Sequence, residues 1–255
     1  MSLKKCVYEL LFPPRCLGCG GMMPPSSGDR ITTQLCRDCR AAWEYATLAQ
    51  CPTCFAAYRD CTCAPYVLQR TGCKALVKMV PYDSGKDLHT AQRILLSVKR
   101  KASRRGFSFF AEELCEGLKK ALAQPSEKQA FSHTVVAHLP RTRRNFKRYG
   151  FDQAQGIAKA LAKRMELPFV KVLRRVHDGK EQKTLSLHQR HANVKGAFAT
   201  KLDLTGVRVV LVDDLVTTGA GMAEAVRVLK KAGAAEVVAV AVAVTPKKSD
   251  CRKIP

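Results

Sequence analysis

The 255 residues carry 44 lysines and arginines against 21 aspartates and glutamates, a formal charge of +23, and twelve cysteines. That length can bury a sizeable core and hold one ordinary domain with a small module beside it. No apolar run reaches the length of a bilayer span, and the first residues, with Glu9 and no small-residue cleavage site, do not read as a signal peptide, so the expected compartment is the cytoplasm.

In a cytoplasmic chain so many cysteines argue for metal rather than disulfides. Cys16-x-x-Cys19 and Cys36-x-x-Cys39 are two knuckles sixteen residues apart, the spacing of a tetrahedral four-thiolate Zn2+ site. Gly18 and Gly20 suit the first tight turn, and Arg40 to Tyr45 after the second knuckle reads as a short helix. Cys51-x-x-Cys54 and Cys61-x-Cys63 form a second set with a shorter spacer and a cramped last pair; it either binds a second ion or does not. Pro65 closes this region, so residues 1–65 are expected to form a zinc-finger module whose metal supplies much of its folding free energy. Cys6, Cys73, Cys115 and Cys251 stand alone and read as buried or incidental thiols.

Residues 66–255 then alternate strand and helix. Gly72 to Tyr82 is expected as a half-buried strand, placed at an edge by Pro81. Ala91 to Lys101 and Phe107 to Ala123 have helical spacing, the second ended by Gln124-Pro125-Ser126. His133 to Leu139 is a strand stopped by Pro140. Residues 141–150, Arg-Thr-Arg-Arg-Asn-Phe-Lys-Arg-Tyr-Gly, are expected as a basic loop, with a helix from Asp152 to Met165 behind it. Phe169 to Leu173 is expected as a strand, and residues 174–200 as a long, polar, mobile segment. Val209 to Val212 and Val237 to Val244 are continuous apolar runs, the pattern of strands buried on both faces of a parallel sheet. The fold class is α/β with a mainly parallel sheet.

The chemistry concentrates at 209–221. The strand ends on Asp213 and Asp214, then Thr217-Thr-Gly-Ala-Gly221 turns into a helix from Met222 to Ala232. Hydroxyls and N–H groups at a helix N-terminus make an anion site, and adjacent carboxylates accept hydrogen bonds from sugar hydroxyls. No P-loop or dinucleotide glycine fingerprint is present. The stretch resembles the phosphoribosyl-pyrophosphate motif of type I phosphoribosyltransferases, with Gly221 where a Ser or Thr is usual. In a parallel sheet, ligands sit beyond the carboxyl ends of the strands. The basic loop and the acid turn therefore face one crevice, suited to a phosphate at one end and a pyrophosphate at the other.

Further motifs in order widen the likeness. Pro140, Arg143, Arg144, Gly150-Phe-Asp-Gln153 and the run from Gln182 through Leu185, Ser186, Arg190, Asn193 and Gly196 to Phe198 resemble the ComF/GntX-like family, with Tyr149 and Asp152 where that family has Arg and Asn. The resemblance implies a type I phosphoribosyltransferase-like domain behind a zinc finger, linked to natural competence and the handling of incoming single-stranded DNA. Carried over by position, it makes Asp213 and Asp214 the ribose-binding and catalytic carboxylates. Thr217, Thr218, Gly219, Ala220 and Gly221 become the 5′-phosphate site, and Mg2+ clamps the pyrophosphate. Arg143, Arg144, Lys147 and Arg148 would neutralise the leaving group or touch a DNA backbone.

Charge adds a polyanion reading. Residues 1–65, 66–200 and 201–255 carry +2, +18 and +3, so the excess sits in the middle. Phe107, Phe109, Phe110, Phe146, Tyr149 and Phe151 lie near those cations, a pattern compatible with stacking on single strands, although core packing is the expectation for 107–110. Three readings stay open: a phosphoribosyltransferase, a catalytically silent ribose-phosphate sensor that binds nucleic acid, and a scaffold that docks a competence helicase or uptake protein.

Overall fold

A computed structural model describes residues 13–23, 34–73, 75–83, 90–100, 102–123, 133–178 and 194–246. The helix α1 (Arg37–Thr47) starts inside the second knuckle, with Cys36 at its N-cap and Cys39 in its first turn, and a 3-10 turn (Tyr58–Asp60) and short helix α2 (Tyr66–Gln69) lead into strand β1 (Leu76–Pro81). Helices α3 (Thr90–Arg100) and α4 (Arg104–Ala123), strand β2 (His133–His138), and helices α5 (Arg143–Tyr149) and α6 (Gln153–Met165) come next. Two-residue strands β3 (Arg174–Arg175) and β4 (Phe198–Ala199) precede β5 (Val207–Val216), α7 (Ala220–Lys231) and β6 (Glu236–Val244).

The main sheet has the order β1-β6-β5-β2, every pairing parallel. Its central strands alternate between two apolar layers, as strands with both faces covered must. Val210, Val212, Val238 and Val240 pack with helices α3, α4 and α6, while Val209, Leu211, Val237 and Ala239 pack with α7 and the second cysteine region. Pro81 sits on the edge strand β1, where its missing N–H costs no ladder bond, yet Leu76 to Val80 are buried rather than half-buried.

The cysteine-rich start shares this core. Trp43 on α1 is fully buried, its ring 5.1 Å from that of Phe109, and its indole N–H donates to Glu113 over 2.8 Å. Arg40 donates to the other Glu113 oxygen at 2.8 Å, so one carboxylate clamps α1 to α4 through two hydrogen bonds. Phe109 and Phe110 are thereby core residues.

Four sequence expectations are corrected. The strand does not end at the acid pair: β5 continues to Val216, because β6 keeps pairing with it after β2 has stopped at the His138–Val212 pair. Asp213 is thus the first residue past the last β2 partner, where one edge of β5 opens. The expected basic loop contains α5, started by Thr142, whose hydroxyl accepts the Asn145 N–H, and closed by left-handed Gly150. Phe169 makes only an isolated bridge to Val136, and no strand runs over 169–173. In the expected mobile segment, Arg174–Arg175 pairs antiparallel with Phe198–Ala199, while 179–193 lie outside the described residues, as do 124–126.

Candidate functional site

Beyond the carboxyl ends of β2 and β5 lies a cavity of about 610 Å³. It is lined by Asp213, Asp214 and the whole turn from Thr217 to Gly221 on one side, and by Arg144 and Arg148 of α5 on the other. Sequence placed these two segments opposite one another, and the fold brings them together. Arg143 and Lys147, on the same short helix, are exposed and do not line the cavity. The four basic residues therefore split into an inward and an outward pair.

The acid pair is close-set. The Asp214 N–H donates to the Asp213 carboxylate at 2.8 Å, and Lys99 reaches to 4.0 Å from Asp214. Desolvation, and then the neighbouring Asp214 charge, push the Asp213 carboxyl well above the usual carboxylate range. It is a group that gains from hydrogen-bond donors arriving with a ligand.

The turn is buttressed from behind. Thr218, Gly219 and Ala220 are buried, and Gly219 has φ +77°, a conformation that glycine takes without Cβ strain. α7 begins there with no side chain on its N-cap; the Thr218 hydroxyl accepts the Ala220 N–H at 3.3 Å, and Gly221 and Met222 of the first turn line the cavity. A Cβ built on Gly221 meets only Leu139, at 3.8 Å, so the position has room for the hydroxyl-bearing residue usual in this motif.

The opposite wall hangs from two aspartates. Asp178 accepts the backbone N–H groups of Arg143 at 2.9 Å and Arg144 at 3.3 Å, adding a negative charge at the start of α5. Asp152 accepts Gln155 N–H as the cap of α6 and Arg141 N–H at 2.9 Å, tying both ends of the basic segment. Tyr149 lies beneath the guanidinium groups of both Arg141, at 4.9 Å, and Arg148, at 5.4 Å. Its ring holds cations in place where the family pattern has a further cation. The sequence reading missed Lys99 and Arg175, both of which line the cavity. Arg175 stacks over Phe198 at 5.0 Å and donates to Pro140 O. No local pattern marks either one; both are brought in by tertiary packing.

Both cysteine quartets close on themselves. In Cys16, Cys19, Cys36 and Cys39, and again in Cys51, Cys54, Cys61 and Cys63, the four sulfurs all lie within 4.8 Å of one another. A tetrahedral ion with Zn–S near 2.3 Å needs sulfurs about 3.8 Å apart, so both sets could hold one metal ion. At Cys16, burial pushes the thiol up, but the N–H groups of Cys19, Cys36 and Gly18 outweigh it and hold it at about 6. Cys51 follows the same logic, with the N–H groups of Cys54 and Thr53, at about 7. Cys39 and Cys63 go the other way, raised by desolvation and by neighbouring sulfurs. Each set gathers more incipient negative charge than it can hold alone, a conflict that a divalent cation removes.

Known proteins share part of this chain. The model of the phosphoribosyl transferase domain matches residues 148–253. DNA utilization protein YhgH of Salmonella typhi is 34% identical over 103 residues, covering 40% of this chain and 45% of that protein. Competence protein F of Haemophilus influenzae is 33% identical over 94 residues, covering 35% of this chain and 41% of that protein. The chain thus spans less than half the length of these curated relatives. A hypoxanthine phosphoribosyltransferase from Staphylococcus aureus overlaps 59% of this chain and 70% of its own, at 14% identity and a TM-score of 0.35. No described helix is long and apolar enough to cross a membrane. Residues 148–253 thus match the phosphoribosyl transferase domain, and part of the chain is similar to DNA utilization protein YhgH and to competence protein F.

Proposed function

We propose that the crevice binds phosphoribosyl pyrophosphate with Mg2+, in a cytoplasmic protein that acts on incoming single-stranded DNA during natural competence. The observation that carries this is the placement of a helix N-terminus and an acid pair opposite Arg144 and Arg148 across one cavity. The 5′-phosphate is assigned to Thr217–Gly221, the ribose hydroxyls to Asp213 and Asp214, and the pyrophosphate to the inward arginines with Lys99 and Arg175 beside them. The oxygen donors of Asp213 and Asp214 suit Mg2+, which favours oxygen and brings waters and ligand oxygens into its shell. Bound there, the ion would neutralise charge on a departing pyrophosphate. Asp213 and Asp214 would orient the ribose, and the arginines would hold the leaving group in line.

Zn2+ is assigned to Cys16, Cys19, Cys36 and Cys39, and also to Cys51, Cys54, Cys61 and Cys63. Residues 1–65 are read as the metal module and 66–255 as the phosphoribosyltransferase-like domain with its basic loops. DNA is assigned to the outward cations, Arg143 and Lys147, together with the rest of the strongly basic middle region, and a competence helicase or uptake protein is the expected partner.

Calorimetry with phosphoribosyl pyrophosphate and Mg2+ tests the crevice. Wild type should bind, and the Asp213→Asn/Asp214→Asn double variant should lose at least about tenfold in affinity; wild type that fails to bind ends the proposal. Single-strand DNA affinity measured against salt tests the second half, since phosphate contacts must give a negative log–log slope. A second reading, a sensor that binds the ligand without turnover, is favoured by Gly221, which leaves the motif one hydroxyl short.

A further inference from the structure

Lys78 lies on β1 with 3% of its surface exposed. An ammonium has three donors, and all three are taken: Cys63 O at 2.6 Å, Cys61 O at 3.1 Å and Cys61 Sγ at 3.1 Å. The Tyr58 ring stands 5.7 Å away. None of these acceptors is a carboxylate, and two neutral carbonyls do not cancel a charge. A buried cation without a counter-ion is strongly destabilising, and the sulfur of Cys61 is the acceptor here that can be an anion. Four thiolates around a divalent ion leave a net charge of two minus, which Lys78 halves. In the first quartet, the donors to sulfur are backbone N–H groups, of Gly18 and Cys36 onto Cys16.

The second quartet stands against the back of the ligand turn. Pro65, two residues after Cys63, would lie 3.1 Å from a Cβ on Gly219, and Val67 would lie 3.3 Å from it. Cys51, Cys63, Pro65 and Lys78 share a narrow cleft with Thr217 and Thr245. Thr245 N–H in turn donates to Val216 O, one residue before the turn. The segment just after the last two sulfurs, through the side chains of Pro65 and Val67, is therefore the surface against which Gly219 packs.

We propose that Lys78 is the counter-charge of a metal centre at Cys51, Cys54, Cys61 and Cys63, and that this centre braces the phosphate turn at 217–221. The first quartet, seated against α1 and Ile94, carries no such load on the turn. The proposal rests on the functional reading above only in its ligand readout; the bracing itself is tested without ligand.

The experiment uses the full chain loaded with zinc, and compares wild type with Cys54→Ser, Cys19→Ser and Lys78→Met. Cys54 and Cys19 are both exposed ligands, one from each quartet. Zinc per chain should be two in wild type and one in each cysteine variant. Hydrogen–deuterium exchange over 215–223 should rise by about tenfold in Cys54→Ser and stay within about twofold in Cys19→Ser. Lys78→Met should release one zinc to a chelator at about tenfold lower chelator concentration, leaving the other as in wild type. Should Cys54→Ser fold poorly, stripping the remaining zinc from Cys19→Ser gives the same reading from the exchange over 215–223. Unchanged exchange when the second zinc is lost overturns the bracing, and wild-type zinc retention in Lys78→Met overturns the counter-charge. Two zinc ions per chain retained in Cys54→Ser overturn both. Wild type that fails to bind phosphoribosyl pyrophosphate sinks the functional reading and leaves the exchange result standing.

Discussion

Thr218, Gly219 and Ala220 are buried on one side of the crevice and fixed between Pro65, Val67 and the start of a twelve-residue helix. Across from them, residues 143–148 stand exposed on a seven-residue helix that the carboxylates of Asp178 and Asp152 hold by its ends. The first wall is pre-formed by the core and meets a ligand with little ordering cost. The second offers long cationic side chains whose pull depends on salt and whose backbone is held by a few hydrogen bonds. On the proposed reading, shape recognition would belong to the turn and charge recognition to the small helix.

The largest expected effect comes from breaking the pre-formed wall. Gly219→Val puts a β-branched side chain at φ +77° and within 3.1 Å of Pro65. It should cost about 2–3 kcal/mol in denaturant unfolding and lower affinity for phosphoribosyl pyrophosphate by about a hundredfold. Binding within a few-fold of wild type would show that the turn is softer than its packing implies.

Next comes the charged wall. Arg144→Ala/Arg148→Ala should lower affinity by about ten- to a hundredfold at low salt while moving the melting temperature little, because both side chains are on the surface. Arg143→Ala/Lys147→Ala is the matched control and should leave that affinity near wild type. Equal losses in the two pairs would erase the distinction between inward and outward cations.

The acid pair lies between the walls and gives a pH test. Asp213 has its carboxyl raised in the fold, first by burial and then by Asp214, so the folded chain holds a proton that the unfolded chain releases above about pH 4. Stability should therefore fall as pH rises from that point toward the raised folded value. Asp213→Asn should flatten the fall and melt higher than wild type at pH 7, while binding ligand less well. A melting curve with the same pH dependence as wild type would remove Asp213 from that role.

The smallest effect is a gain. Gly221→Ser has room for its Cβ, sits in the first turn of α7 and supplies the missing hydroxyl. Calorimetry should show about two- to fivefold tighter binding, and unfolding about 0.5 kcal/mol more stability. Weaker binding would mean that the cavity at this position is shaped for something other than a phosphate.

Much of this was legible in the chain because its signals are local. Continuous apolar runs announced β5 and β6, the Cys-x-x-Cys spacings announced the first quartet and left the second open, and the Asp-Asp-x-x-Thr-Thr-Gly order announced the turn. Helix α5 was missed because six of its seven residues are exposed and no apolar face repeats along it. Its boundary signals, Thr142 before and Gly150 after, were present and went unread. Residues 169–173 are apolar enough for a strand, but only Phe169 finds a partner in Val136. Lys99, Arg175 and Lys78 were beyond reach for another reason: each acquires its role from residues 15 to 115 positions away, and nothing beside it in sequence marks it out.

Trp43 gives the design of the whole chain a practical edge. Its indole fills the space beside Phe109 and Phe110 and ends on Glu113. A scissor cut at residue 65 would not release a clean C-terminal half; it would leave two aromatic rings and an unclamped carboxylate facing water, and a sticky fragment in the test tube. Whoever wishes to express the C-terminal portion by itself must first plug the hole that one tryptophan leaves behind.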